Sequence, residues 1–238
     1  MTDNPQVVVI TGANRGIGYQ MARLHCERGD QVIAGCRNPE AATELAALNP
    51  VAILQIDVGD ETSVIEFASA VAAELGGASV DVLINNAGTS TRALGVDRTD
   101  ASVLDVSMDV VLDLARINGL SAATVTRTML DSLTSGSKVI NISSQLGSMV
   151  VGKRLADFPY NTSKAVMNMA TVQLASALEG RGITVVCVHP GWVRTDMGGE
   201  AADLSPEESA AGIVETIDGL TIADTGQFRR HDGSIHPW

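Results

Sequence analysis

Short runs of β-branched and other apolar residues alternate with helical segments along most of the chain. The runs include QVVVIT near the N-terminus, VDVLINNAG in the middle and ITVVCVHPG towards the end. Because these runs are apolar throughout, they predict strands buried on both faces, as in a parallel sheet. Right-handed crossovers then give a doubly wound, Rossmann-type α/β sheet, whose ligands bind at the carboxyl ends of the strands. With no internal repeat or linker, residues 1–238 are predicted to form a single domain.

The helical segments have predictable positions. The segment PEAATELAAL is rich in alanine and predicts a helix after the second strand. A long, broken helical region is predicted from about 100 to 133, and a short last strand is predicted at GQFRR. Three further helices are predicted near 61–75, 160–179 and 205–219.

A glycine-rich turn, TGANRGIG, follows the first predicted strand. Gly12 permits a tight strand-to-helix turn, Gly16 lets the backbone approach a pyrophosphate, and Gly18 lets the helix pack closely on the strand. The N-terminus of the next helix then presents unpaired N–H groups to phosphates. No Lys-Ser/Thr pair follows the glycines, so the turn is not a nucleoside triphosphate P-loop. A plain tight turn is the alternative, but the position within a βαβ unit favours dinucleotide binding.

Two arginines indicate which dinucleotide is bound. An NAD site has an acidic residue at the end of the second strand for the ribose 2′-hydroxyl, whereas this chain has Arg37 in GCRN. Arg15 lies inside the glycine turn, and two guanidiniums at one corner suit the 2′-phosphate of NADP(H). Two ordinary surface arginines are the alternative. Asp57, which closes LQIDV, either accepts a hydrogen bond from the adenine amino group or caps the next loop.

Tyr160 and Lys164 form a candidate reacting pair. The chain has only two tyrosines and three lysines, yet YNTSK places one of each four residues apart, on one helix face. Pro159 suits the first turn of that helix. A free tyrosine has a pKa of about 10, and a nearby ammonium lowers it, which lets the phenol exchange a proton with a carbonyl oxygen. Taken alone, the pair is explained as well by a half-buried tyrosine with an incidental lysine.

Other polar residues are predicted at the same edge of the sheet. Ser143 and Ser144 end the fifth strand in NISS, and NNAG ends the fourth. Asn118 interrupts an otherwise apolar helical segment, and HPGWVRTDM follows the sixth strand with Thr195 near its end. Each of these has a simpler explanation as turn chemistry. Their shared position at one edge favours a common site.

In their order and rough positions, TGANRGIG, NNAG, Asn118, NISS and YNTSK resemble the short-chain dehydrogenase/reductase family over essentially the whole chain. The resemblance implies a seven-stranded doubly wound sheet and a site that needs no metal. It implies Tyr160 as the general acid/base and Lys164 as the group that lowers its pKa and binds the nicotinamide ribose. It also implies Asn118 as the holder of a relay water and Ser144, rather than Ser143, as the catalytic serine.

The resemblance also implies which residues contact the cofactor. The dinucleotide-binding part is expected at about 1–135, and the catalytic and substrate part at about 136–238. The implied cofactor contacts are Gly12, Asn14, Arg15, Gly16, Ile17, Gly18, Arg37, Asp57, Val58, Asn86, Ala87, Gly88, Tyr160, Lys164, Pro190, Gly191, Val193 and Thr195.

The C-terminal part looks like the sniffer and C-factor group of carbonyl-reductase-like proteins within that family. From Ser144 to Tyr160 is 16 residues, more than in many members, so the loop at 145–158 is expected to bulge near the substrate. Only about eight residues separate TDM from the helix that opens at SPEES, which predicts an open pocket. Its walls are expected from the 90s, from 145–158 and from the region after Pro190. The final SIHPW either belongs to an interface or folds onto its own domain.

Composition and charge restrict the binding partners and the cellular location that the chain can be expected to have. A net charge of −12 and a pI near 4.6 argue against nucleic acid, which requires a basic face. The chain lacks an apolar run of membrane-spanning length, and its acidic start is unlike a signal peptide. The three cysteines are dispersed and odd in number, which favours reduced thiols in the cytoplasm.

The sequence therefore predicts an NADP(H)-dependent carbonyl reductase or alcohol dehydrogenase acting on a small carbonyl or alcohol. A dinucleotide-sensing signalling protein with little turnover is one alternative, but such a protein would not need a proton relay. An NAD-preferring enzyme of the same family is another, opposed by Arg15, Arg37 and the missing acidic residue. The family resemblance further implies a homodimer or homotetramer that associates through the two long helices.

Overall fold

The structure, a computed structural model, describes residues 5–97, 100–151 and 157–238. Its strands are β1 (Val7–Thr11), β2 (Gln31–Cys36), β3 (Ala52–Gln55), β4 (Val80–Asn85), β5 (Leu133–Ile142), β6 (Thr184–His189) and β7 (Phe228–Arg230). They form one seven-stranded sheet in the order β3-β2-β1-β4-β5-β6-β7, and neighbouring strands are parallel throughout. The predicted doubly wound α/β sheet is confirmed.

Helices connect these strands. They are α1 (Gly16–Glu27), α2 (Thr43–Ala46), α3 (Glu61–Leu75), α4 (Met108–Leu114), α5 (Ser121–Thr128), α6 (Phe158–Leu178) and α7 (Pro206–Gly219). A π-helix, Ala115–Leu120, joins α4 to α5, so this region is one continuous helix with a π turn, but it covers only 108–128 of the predicted 100–133. The predicted region extended into a 3₁₀ turn, Leu130–Ser132, and the first residue of β5. The helices predicted near 61–75, 160–179 and 205–219 lie within two residues of their predicted bounds.

One predicted helix is divided in the structure. The segment PEAATELAAL forms a 3₁₀ turn at Pro39–Ala41 and the four-residue α2. Ala42, between them, has φ −85° and ψ 53°, outside the helical region, and this ends the first turn before α2 begins. Alanine content alone therefore overestimated the length of this helix.

The strands bury both faces of the sheet. In β1, Val8 and Ile10 belong to a core that includes Met21 of α1 and Ile213 of α7. Val9, which points to the opposite face, belongs to a second core together with residues of α3, α5 and α6. This arrangement explains why the strands read as continuous apolar runs.

The order of the strands places a crevice beside β1. The chain runs from β1 outwards through β2 and β3 and then returns to β4 on the other side of β1. The loops after β1 and β4 therefore diverge at their carboxyl ends, which is where open α/β sheets bind ligands. None of the helices in the described ranges is long and apolar enough to cross a membrane.

The C-terminal SIHPW segment folds onto its own domain. The His236 ring lies 4.6 Å from the ring of Phe228 in β7, and the Trp238 ring lies 5.2 Å from it, between centroids. Ser148, in the segment after β5, donates a hydrogen bond to the Trp238 carbonyl oxygen at 3.0 Å. These contacts agree with the second of the two sequence-based alternatives for this segment, and a role in an interface stays a prediction.

Candidate active site

The N-terminus of α1 has no side-chain cap. Arg15 occupies the N-cap position without a capping hydrogen bond, and the first turn contains no acidic residue. By contrast, α3, α4, α6 and α7 begin with the capping side chains Asp60, Ser107, Asp157 and Ser205. The first N–H groups of α1 therefore remain available to an external acceptor, and the helix dipole favours an anion there.

The glycine turn is a tight backbone cradle. Gly12 has a φ of +67°, and a Cβ added there would lie 2.8 Å from Ala87 Cα. A Cβ on Gly18 would lie 2.3 Å from the Gly12 carbonyl oxygen. Asn86 braces the turn by donating from Nδ2 to the carbonyl oxygens of Thr11 and Gly12, each at 3.0 Å. Because side chains are excluded and α1 is uncapped, the residues present fit a phosphate group bound by backbone.

The two candidate arginines have different surroundings. Arg15 Nη1 lies 2.7 Å from Asp196 Oδ2, in the segment after β6. Arg37 is exposed at the end of β2 and forms no ion pair within the part of the chain that the structure describes. The ion pair therefore ties Arg15 to the segment after β6, and the expected convergence of the two guanidiniums stays a prediction. The side chain of Asp57 accepts a hydrogen bond from Gly59 N at 2.9 Å, as a loop cap does.

Asn118 lies fully buried in the π-helix. Its Oδ1 accepts from Thr89 N at 2.7 Å, while its Nδ2 donates to Thr89 O at 2.9 Å and to Ser163 Oγ at 3.0 Å. The side chain thus links the NNAG loop to α6. A π turn inside an α-helix is frequently found at functional sites. Whether a relay water also binds here remains a prediction.

Two glycines allow neighbouring elements to approach α6 closely. A Cβ on Gly119 of the π-helix would lie 2.7 Å from the Ser163 carbonyl oxygen. A Cβ on Gly147, in the short 3₁₀ helix Gln145–Gly147, would lie 2.7 Å from the carbonyl carbon of Lys164. The backbone of α6 is therefore held from two sides at the level of Lys164. Pro159 occupies the first turn of α6, as expected.

Lys164 is a buried ammonium beside Tyr160. Its Nζ lies 5.8 Å from the centroid of the half-buried Tyr160 ring and donates to the Ile142 carbonyl oxygen at 2.9 Å. Burial lowers the pKa of Lys164 to about 8, although the neighbouring Cys187 opposes the shift. Burial also raises the pKa of Cys187 to about 12, so this thiol is neutral at physiological pH. Lys164 keeps its positive charge at pH 7, where it can stabilise a Tyr160 phenolate.

The two serines after β5 differ in their partners. Ser143 is buried, and its Oγ donates to Asn168 Oδ1 at 2.6 Å. Ser144 is half-buried, and its Oγ accepts a hydrogen bond from Leu146 N at 3.2 Å, which leaves its own proton for another acceptor. The geometry therefore favours Ser144 as the serine that can donate to a substrate oxygen, and Ser143 as a structural residue.

A buried polar network behind α6 was not found by sequence reasoning. Asn85 Nδ2 donates to Asn141 Oδ1 at 2.8 Å, and Asn141 Nδ2 donates to Thr171 Oγ1 at 2.8 Å. Thr171 in turn lies 2.9 Å from the Cys187 sulfur. One signal was available in the sequence, because Tyr160, Ser163, Lys164, Asn168 and Thr171 recur at helical spacing and share one face of α6.

The segment after β6 reaches the glycine turn. Gly191 has a φ of +87°, and Val193 pairs with Leu204 just before α7. A Cβ added to Gly16 would lie 3.4 Å from Thr195 Cγ2. Of the expected pocket walls, residues 98–99 and 152–156 lie outside the described residues, and the bulge expected at 145–158 stays a prediction.

Comparisons with known proteins agree with this geometry. A family model described as short chain dehydrogenase matches residues 6–205, a range that includes the glycine turn and the start of α6. The C-signal of Myxococcus xanthus is 37% identical over 164 residues, covering 67% of this chain and 93% of that protein. The NADPH-bound carbonyl reductase from chicken fatty liver has a TM-score of 0.89 at 28% identity, covering 99% of this chain and 100% of that one. The carbonyl reductase Sniffer of D. melanogaster has a TM-score of 0.89 at 30% identity, with the same coverage.

Proposed function

Because the chain belongs to the short-chain dehydrogenase family, as its motifs predicted, we propose that it is an NADP(H)-dependent carbonyl reductase or alcohol dehydrogenase. It is an oxidoreductase by family membership. The observation that best supports the finer proposal is the buried Lys164 ammonium beside Tyr160, held between Asn118 and the Ser144 turn at the carboxyl edge of the sheet. This arrangement suits proton exchange with a carbonyl or alcohol oxygen.

The cofactor proposal rests on the glycine turn and Arg37. The uncapped N-terminus of α1 and the side-chain-free cradle at Gly12 fit the pyrophosphate. Arg37 follows β2 where an NAD site would carry an acidic residue, and its guanidinium, which has no ion-pair partner among the described residues, suits a 2′-phosphate. The structurally similar carbonyl reductase from chicken fatty liver is bound to NADPH. In this proposal residues 1–135 bind the dinucleotide, and residues 136–238 carry the chemistry.

The chain's own residues then have separate roles in the reaction. A nicotinamide cofactor, when bound, would supply or accept the hydride. Tyr160 donates its phenolic proton to the substrate oxygen during reduction, and Lys164 stabilises the resulting phenolate by its positive charge. Ser144 donates a hydrogen bond to the same substrate oxygen. Asn118 holds the NNAG loop against α6 and so fixes the position of Lys164 relative to that loop.

The test is NADPH oxidation across a panel of aldehydes, ketones and quinones. We expect the wild type to turn over some of them and Tyr160→Phe to lose that activity by at least about a hundredfold while still binding NADPH in calorimetry. The chain offers a matched control, because its only other tyrosine, Tyr19, lies in α1, and Tyr19→Phe should retain activity. Equal activity in wild type and Tyr160→Phe would contradict the assigned role of Tyr160.

A signalling function is the second candidate, because a relative at 37% identity is named C-signal. In that case the wild type and Tyr160→Phe would both bind NADPH, and neither would turn over any carbonyl of the panel. The presence of a complete set of Asn118, Ser144, Tyr160 and Lys164 opposes this candidate, since a sensor requires only the dinucleotide site.

We further propose that the chain self-associates through the outer faces of its long helices. Leu112 in α4, Leu120 in the π-helix and Met169 in α6 are apolar and more than half exposed. Size-exclusion chromatography with light scattering should show a dimer or tetramer, and a monomer alone would exclude self-association.

We also propose a cytoplasmic location, with which the three free cysteines agree.

A further inference from the structure

Asp196 lies in a compact turn between β6 and α7, which we call the β6–α7 turn (residues 193–199). Within it, Gly199 N donates to Thr195 O at 2.9 Å, and Gly198 N donates to Thr195 Oγ1 at 3.2 Å. The turn is anchored where Val193 pairs with Leu204. The position of the Asp196 carboxylate is therefore set by a hydrogen-bonded turn.

This carboxylate holds the guanidinium of the glycine turn. Arg15 Nη1 lies 2.7 Å from Asp196 Oδ2, across 181 residues of sequence. The two segments are also close, because a Cβ added to Gly16 would lie 3.4 Å from the side-chain atom Thr195 Cγ2. The Arg15 and Asp196 side chains are 65% and 82% exposed, so the ion pair is weak and can be exchanged for another.

The ion pair with Asp196 occupies one of the two arginines that are expected to bind a 2′-phosphate. The corner predicted for this phosphate is marked by Arg37 at the end of β2, which borders β1 on one side. The β6–α7 turn follows β6, which lies on the other side of β1 beyond β4 and β5. Of the two arginines expected to bind the 2′-phosphate, Arg37 has no ion-pair partner among the described residues, whereas Arg15 is already paired with Asp196.

We propose that Asp196 is a cofactor-specificity residue whose carboxylate competes with the 2′-phosphate of NADP(H) for Arg15. This inference rests on the proposed function. To contact the 2′-phosphate, Arg15 must exchange its Asp196 partner for the phosphate, whereas NADH has no 2′-phosphate and leaves the ion pair intact. Asp196 therefore reduces the preference for NADPH over NADH without altering the affinity for NADH.

The decisive variant is Asp196→Asn, measured by calorimetric titration with NADPH and with NADH at low ionic strength. Because an exposed ion pair contributes little, we expect NADPH to bind about two- to fivefold more tightly than to the wild type. The Kd for NADH should not change. The gain should shrink as salt is added, because exposed charges are screened.

Two further variants show whether the effect passes through Arg15. Glu200→Gln removes the same charge from an exposed residue just beyond the turn, and this glutamate makes no hydrogen bond or ion pair in the described part of the chain. Its NADPH-to-NADH ratio should match that of the wild type. In an Arg15→Gln background, Asp196→Asn should no longer change the ratio, because the contested guanidinium is gone.

The outcomes separate this inference from the proposed function. If the wild type binds neither dinucleotide, both fail. If the wild type prefers NADPH but Asp196→Asn leaves the ratio of NADPH affinity to NADH affinity unchanged, the competition inference alone is overturned. The same holds if Glu200→Gln changes this ratio as much as Asp196→Asn does, or if Asp196→Asn still changes it in the Arg15→Gln background. If Asp196→Asn weakens both cofactors equally, the pair closes the site over either dinucleotide, and the competition inference is likewise wrong.

Discussion

The N-terminus of α1 and the buried face of α6 lie at the same edge of the sheet, yet the chain builds them in opposite ways. The turn before α1 is made of backbone, with glycines where a side chain would collide and no side chain capping the helix. The face of α6 is made of side chains, with Asn118, Ser143 and the Thr171 network each fixing it through hydrogen bonds. The first leaves donors open for a ligand, whereas the second is held by internal hydrogen bonds, although Asn168 Nδ2 is buried without a partner among the described residues.

The two parts are therefore sensitive to different substitutions. The backbone turn is disrupted when a side-chain atom is added, whereas the site on α6 is disrupted when a side-chain group is removed. Single groups are removed or added below at the α6 site, at the glycine turn and at the cap of α7, in order of decreasing expected effect.

Lys164→Met should cause the largest loss, because it removes the ammonium and keeps the length of the buried chain. We expect carbonyl reduction to fall by about 10²- to 10⁴-fold in kcat, as for loss of a group that supports proton transfer. NADPH oxidation under saturating substrate measures this loss. The same variant should be more stable by about 1–2 kcal/mol, because it no longer buries a charge, although it loses one hydrogen bond. Urea unfolding measures the stability, and a less stable variant would contradict the cost assigned to the buried ammonium.

Ser144→Ala and Ser143→Ala should separate function from structure. Ser144→Ala removes a donor to the substrate oxygen, and we expect kcat to fall by about 10²- to 10³-fold with little change in stability. Ser143→Ala leaves Asn168 Oδ1 with only the weak Cys187 thiol as a donor, so we expect a loss of about 1–2 kcal/mol in unfolding free energy and a smaller kinetic effect. Parallel kinetics and urea titrations compare the two, and the reverse pattern would make Ser143 the working serine.

Gly18→Ala should damage the cradle. Its Cβ would lie 2.3 Å from the Gly12 carbonyl oxygen and 2.4 Å from Asn86 Nδ2, so the turn must shift. We expect a cost of about 1–3 kcal/mol in stability and a Kd for NADPH raised about tenfold or more. Gly219→Ala is the control, because a Cβ there has no atom within 4 Å. Equal NADPH affinity in the two variants would show that the cradle does not contact the cofactor.

The buried ammonium also predicts how stability depends on pH. Folding lowers the pKa of Lys164 from 10.5 to about 8, so between these values the unfolded chain binds the proton more often than the folded chain. The contribution of Lys164 to stability therefore becomes more favourable as pH rises through this window, by about 2 kcal/mol from pH 7 to 9.5. Urea midpoints of the wild type relative to Lys164→Met should show this rise. A flat difference would place the folded pKa near its ordinary value.

The sequence predicted the sheet and the residues at its edge more fully than the contacts behind them. Apolar runs, glycine spacing and the i, i+4 spacing of Tyr160 and Lys164 are local sequence features, and they predicted β1, the turn at Gly12 and the candidate reacting pair. The hydrogen bond between Ser143 and Asn168 joins residues 25 positions apart, and the ion pair of Arg15 with Asp196 joins residues 181 apart. Such contacts depend on how the elements pack, so no local sequence pattern could reveal that Arg15 pairs with Asp196.

The smallest expected effect concerns a cap outside the site. Ser205 caps α7 and forms a capping box with Glu208, so Ser205→Ala should lower the unfolding free energy by about 1 kcal/mol. NADPH affinity should stay unchanged, because this helix terminus is satisfied internally and offers no donor to a ligand. Calorimetric titration with NADPH beside urea unfolding checks both statements. A loss of affinity together with the loss of stability would mean that the capped and uncapped termini are not independent, since α7 packs against α1. The open N-terminus of α1 would then depend on its neighbour's cap as well as on its own glycines.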